Sequence, residues 1–112
     1  MDLEDVGEII AERELEIEDN RIVRVVIGKP QPYPGGHNYY CPFQIKGIGK
    51  EKVISAGGVD SVQALLMALQ GISANLYTSA QARNGTLTWL GRRNYGLPVT
   101  PAIKDFVPED GE

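Results

Sequence analysis

From Ala11 to Glu18 the chain alternates strictly: Ala11, Arg13, Leu15 and Ile17 fall on one face, and Glu12, Glu14, Glu16 and Glu18 on the other. A period of two marks a half-buried strand. Asp19-Asn20 supplies residues that tolerate left-handed backbone, and Arg21 to Gly28 follows as a β-branched return strand, so this stretch reads as a hairpin. Lys29 to His37 (KPQPYPGGH) holds three prolines and two glycines and reads as a long exposed loop.

A second alternation then begins. Tyr39, Cys41, Phe43 and Ile45 face one way, and Tyr40, Pro42, Gln44 and Lys46 the other. Because Pro42 has no N–H to donate, this third strand is expected at a sheet edge or bulged there. A Gly47–Gly49 turn leads to a short fourth strand over Lys52 to Ala56. The period next changes to that of a helix: Val62, Leu65, Leu66, Leu69, Ile72 and Leu76 form an apolar stripe flanked by Ala64 and Ala68. Asp60 followed by Gln63 is a capping-box pattern, which places the helix at Ser61 to Tyr77. Gly71 inside it implies close packing against a neighbour. After a polar stretch ending in Asn84-Gly85, Thr86 to Leu90 reads as a last strand carrying Trp89 in the core.

The expected architecture is α+β, a mainly antiparallel sheet of three to five strands with one long helix packed on one face, in the order β-β-β-β-α-β. Residues 1–8 read as a flexible acidic lead-in, 9–98 as a single domain and 99–112 as an irregular acidic tail. The 112 residues suffice for one core, and 42% hydrophobic with 23% charged residues is ordinary globular composition.

Charge changes the picture more than composition does. The net charge of −4 conceals an acidic segment 1–20, with nine acids against Arg13, and a basic segment 21–104, with ten bases against Glu51 and Asp60. The two are expected to neutralise one another in the fold, leaving a charged partner whatever stays uncovered. Cys41 is the only cysteine, which excludes an internal disulfide and a cysteine-based zinc site and fits a reducing compartment. The acidic N-terminus is unlike a secretory signal, and no apolar run reaches bilayer length, so the cytoplasm is the expected location.

The segments VVIGKPQP, CPFQIKGIG, GVDSVQALLMAL and LTWLG, with GLP near the end, resemble a family of small uncharacterised bacterial proteins, a domain of unknown function. The resemblance covers roughly residues 9 to 98. It implies a bacterial, single-domain, cytosolic protein and carries no activity onto particular residues.

Candidate chemistry is sparse. The four glutamates would stand about 6.5–7 Å apart along one strand face, near the spacing of phosphates along a nucleic-acid strand, so they could mimic phosphates or dock a basic protein. The plainer reading is a solvated face offset by Arg21, Arg24 or Lys52. Arg92 and Arg93, with Tyr95 beside them, could hold a phosphate or carboxylate while the ring stacks on a base; the plainer reading is a pair of surface arginines tied to the acidic segments. Tyr33 and Tyr40 could form an exposed aromatic patch for a protein contact. His37, the only histidine, has neither an orienting carboxylate nor a nucleophile near it in sequence, and Cys41 reads as a buried structural thiol. Ser55, Ser61 and Ser73 lack a nucleophile-elbow context, and the glycines do not form a phosphate loop. A cradle of backbone N–H groups at Gly57-Gly58 is discounted, because Asp60 would occupy those donors.

The sequence thus predicts a non-catalytic protein-binding module with no cofactor or metal, of the immunity or antitoxin-like type that inhibits a basic partner. The alternative is a nucleic-acid or nucleotide-binding accessory domain using Arg92 and Arg93. No membrane association is expected.

Overall fold

A computed structural model of the chain describes residues 3–18 and 20–108. Asp19 of the expected first turn and residues 109–112 of the expected acidic tail lie outside the described residues, as do residues 1–2 of the lead-in. The elements are β1 (Ile9–Ile17), β2 (Arg21–Gly28), β3 (Gln31–Pro32), β4 (Tyr39–Lys46), β5 (Val53–Gly58), α1 (Ser61–Tyr77), α2 (Ala80–Arg83) and β6 (Leu87–Thr88), followed by a 3-10 helix at Pro101–Phe106.

The fold is α+β. One antiparallel sheet runs β5, β4, β2, β1, β6, with β3 continuing the line of β2 along β4. The first hairpin forms as its alternation requires: Ile17 pairs with Arg21, and Asn20 takes the left-handed conformation at φ 64. On the inner face Leu15, Val23, Val25 and Phe43 meet Ile72 and Leu76 of the helix in one core. Among the described residues no helix is long and apolar enough to cross a membrane.

Two expectations about the sheet are corrected. The proline-rich loop contains a strand: Gln31 and Pro32 pair with Tyr40 and Tyr39. Prolines 30, 32 and 34 alternate with residues that keep an N–H, and that of Tyr33 points to β4, donating to the Asn38 carbonyl at 2.9 Å. The strand carrying Pro42 is interior rather than at an edge, because β5 covers its other side. Pro42 lies where the β2 ladder has ended at Ile27↔Phe43 and the β3 ladder has not begun, so its missing donor disrupts no register. The lead-in is tied down at Val6, which is buried with its carbonyl against Gly28, while the Lys29 N–H donates to the Glu8 carbonyl at 2.8 Å.

Helix α1 starts where its capping box places it. The Asp60 carboxylate accepts from the Gln63 N–H at 2.8 Å, and the Gln63 side chain accepts from the Val59 N–H at 2.7 Å. Its buried stripe is rotated from the expected one: Ala64, Ala68, Ile72 and Leu76 face the sheet, whereas Val62 is 65% and Leu66 47% exposed. Small side chains win the inner position because the helix sits close on β4 and β5. A Cβ at Gly71 would stand 3.1 Å from the Phe43 ring, and a Cβ at Gly58 would drive into the Ala64 nitrogen and the Gln63 carbonyl carbon.

Two substitutions probe this seat. Gly58→Ala must displace the first turn of α1 and is expected to destabilise by about 1–3 kcal/mol or more, read as a melting temperature lowered by about 4–8 °C per kcal/mol. Ser73 is fully buried, and its hydroxyl has no hydrogen-bond partner among the described residues. Ser73→Ala removes that unpaired group and is expected to raise the denaturation midpoint by up to about 1–3 kcal/mol equivalent.

Candidate functional site

The register of the sheet sets Glu12, Glu14 and Glu16 on the outer face. Glu12, Glu14 and Glu16 lie opposite Val26, Arg24 and Ile22 of β2, and Glu18 follows in the turn. Arg24 reaches both Glu12, at 3.2 Å, and Glu14, at 2.6 Å, so the offset by Arg24 is real for these two. Among the described residues no cation lies within ion-pair distance of Glu16 or Glu18. The strand bearing these acids is next to the end of the sheet. β6 meets β1 only at Glu16 and Ile17, so β1 from Ala11 to Glu14 has a strand on one side alone.

Below that edge, on the inner face, the structure shows a group that sequence reasoning missed. Arg13 stands on an otherwise apolar strand face, with its guanidinium 3.8 Å above the Trp89 ring and Nη1 donating to the Tyr95 carbonyl at 2.7 Å. Tyr95 is 1% exposed and stacks on Tyr77 with ring centroids 4.6 Å apart. Its N–H donates to the Tyr77 hydroxyl at 2.7 Å, and its own hydroxyl donates to the Leu87 carbonyl at 2.9 Å. Burial lowers the pKa of Arg13 and raises that of Tyr77, while burial and then the neighbouring Tyr77 push Tyr95 up to about 12. This knot pins residues 89–95 to the end of the core. Its sequence signal was the lone arginine in the alternation together with the only tryptophan.

Beside the knot lies a cleft of about 160 Å³, lined by Ala11, Arg13, Val25, Ile27, Leu69 and Leu97 among others. It is comparable to the ~150 Å³ apolar cavity that admits benzene in an engineered core. A wider groove of about 630 Å³ lies at the C-terminal end of α1, between Asn75 and the turn carrying Lys50 and Lys52. Its two lysines share the turn with Glu51.

The remaining candidates are scattered. Arg92 and Arg93 are exposed beside a two-residue turn, but Tyr95 is buried and cannot stack on a base as the sequence suggested. Tyr33 and Tyr40 do come together, with centroids 5.2 Å apart, and are half-buried rather than an open patch. Trp89 is half-buried against the core, and His37 is exposed in the loop before β4. Cys41 is fully buried, its thiol donating to the Gly28 carbonyl at 3.4 Å, and burial raises its pKa to about 11. Among the described residues no group of three or more His, Cys, Asp or Glu is placed to hold a metal ion.

The fold and this surface define a small α+β domain whose most distinctive exposed feature is an acidic strand beside an unpaired sheet edge. Residues 11–99 match the family model described as Domain of unknown function (DUF6968), and the chain belongs to that family. Comparison with curated proteins and with solved structures gives no match.

Two measurements test the buried groups. Tyr77→Phe leaves the Tyr95 N–H unpaired in the core and is expected to cost about 1–3 kcal/mol in denaturant unfolding. Cys41 and Tyr95 are held neutral in the fold, with pKa values of about 11 and about 12, while the unfolded chain ionises them near 9.0 and 10.0. Their contribution is complete below the unfolded values and is lost as pH rises through the folded ones. The denaturation midpoint is therefore expected to fall between pH 9.0 and about 11, with the Cys41→Ala variant showing a smaller fall.

Proposed function

We propose that the chain is a protein-binding module that recognises a basic partner through the glutamate face of β1, as an immunity or antitoxin-like inhibitor would. The observation that carries this reading is the charge left on that face. Arg24 is shared between Glu12 and Glu14, while Glu16 and Glu18 have no cation at ion-pair distance among the described residues. The acidic segment is thus only partly neutralised by the basic one, and a partner's cations complete it. Exposed charge of one sign steers encounter and sets partner choice more than it sets final affinity. The lone buried thiol fits a reducing compartment such as the cytoplasm.

Affinity capture from the source cells identifies the partner, and association kinetics then test the surface. Reversing Glu14 and Glu16 to lysine is expected to slow association by about tenfold or more at low salt and to remove its salt dependence. An unchanged on-rate, or a captured partner that carries no basic surface, refutes the reading.

A further inference from the structure

We propose that the open edge of β1 is a strand-addition site, and that its occupant is an extended segment of a basic partner with Lys or Arg at alternate positions and apolar residues between. The inference rests on the protein-binding reading above and gives it a mode of contact.

The unpaired backbone carries the argument. The Glu18 N–H points away from β2 and donates to the Thr86 carbonyl at 3.1 Å. Antiparallel pairing alternates its hydrogen bonds between the two sides of a strand, so the N–H and C=O groups of Glu14 and Glu12 point the same way. Among the described residues no backbone group answers them, because β6 pairs only with Glu16 and Ile17. A row of unpaired donors and acceptors is a template for another strand.

A second observation shows why the edge stays open. β6 would run on along β1, but Leu90 at φ 53 and Gly91 at φ 78 turn it back within two residues, closed by the reciprocal Trp89–Arg92 hydrogen bonds of 2.8 and 2.9 Å. Leucine in the left-handed region costs roughly 1–2 kcal/mol. Leu90 is also 80% exposed, so no burial of its side chain offsets that strain. The ladder is ended at an energetic cost, and four residues of β1 are left bare.

The two faces of that edge specify the occupant. Glu12 and Glu14 lie on the outer side, with Glu16 beyond them. On the inner side the cleft of about 160 Å³ opens between Ala11, Arg13, Val25 and Leu97. An incoming strand projects alternate side chains to opposite faces, so cations meet the glutamates while an apolar side chain enters the cleft. A second copy of this chain is disfavoured, since antiparallel self-pairing of β1 would bring glutamates against glutamates.

The test uses the full chain and a capped synthetic peptide alternating lysine with valine or leucine, with a glutamate-for-lysine version as control. Amide hydrogen exchange is followed at Glu12 and Glu14. Rapid exchange in the free protein that slows by about tenfold or more with the lysine peptide, and not with the control, supports the site. Glu12→Pro removes an outward N–H and leaves the β2 ladder intact, whereas Glu12→Gln removes the charge and its ion pair with Arg24 but keeps the N–H. Loss of binding in the proline variant, with a weakening of only a few-fold in the glutamine variant, also supports it. Salt-sensitive peptide binding without amide protection, equal in the two variants, overturns strand addition while leaving the acidic-surface reading standing. No binding of the peptide overturns the site. Amides already protected in the free protein overturn it too, by a second copy if protection grows with concentration and by the chain itself if it does not.

Discussion

The close seat of α1 on β4 and β5 is the constraint from which the rest of the structure follows. Gly58 admits the first turn of the helix at van der Waals limit, Ala64 and Ala68 keep its inner face flat, and Gly71 lets the Phe43 ring lie against the backbone. With the helix drawn in this far, its C-terminal end brings Tyr77 within stacking distance of Tyr95. The larger apolar residues Val62 and Leu66 are turned outward as a consequence. Bulk is thus excluded from the helix–sheet contact at one end and supplied by two tyrosines and a tryptophan at the other. A side chain added at the tight end would lever the aromatic end out of register, since dense interiors transmit strain.

The second dependence runs from Tyr77 to residues 89–97. Residues 89–97 form no long strand or helix, yet they are held by Arg13, Tyr77 and Tyr95 through hydrogen bonds of 2.7 Å and two ring contacts. Arg13 is central because one guanidinium caps the Trp89 face and satisfies a carbonyl that no ladder reaches. Arginine suits this position better than lysine, its planar group being able to stack and donate at once.

What the sequence revealed was governed by distance along the chain. The bounds of α1 were legible because its cap is built from Asp60 and Gln63, three residues apart, and the first hairpin because period two and the Asn20 turn are both local signals. The glutamate face was legible for the same reason. The strand at Gln31–Pro32 was not, because prolines suppress strand expectation unless their alternation is matched to the direction of each remaining N–H. The rotation of α1 was hidden because periodicity finds the apolar stripe, while fit to the sheet chooses between that stripe and the alanine flank. The Arg13–Tyr95 contact joins positions 82 residues apart, and no local pattern encodes it. Tyr95 therefore read as a partner of Arg92 and Arg93 when it belongs to the core.

The open edge of β1 unites these features. A sheet edge can be blunted by charge, by a bulge or by a covering segment. β1 has the first two, with glutamates at alternate positions and a register break between Ile9 and Ala11. The covering segment is present and stops short: residues 94–97 pass beneath the edge, anchored through the Tyr95 carbonyl to Arg13, and leave a cleft instead of a third strand. Charge alone keeps like chains apart and would suffice for solubility. A strained leucine turn that ends β6, together with an apolar cleft under Ala11 and Arg13 of β1, adds nothing to solubility and costs stability. Strain at Leu90 and unfilled space under Ala11 and Arg13 are what a pre-shaped contact requires, since a partner strand then supplies the hydrogen bonds and the packing that the chain withholds from itself.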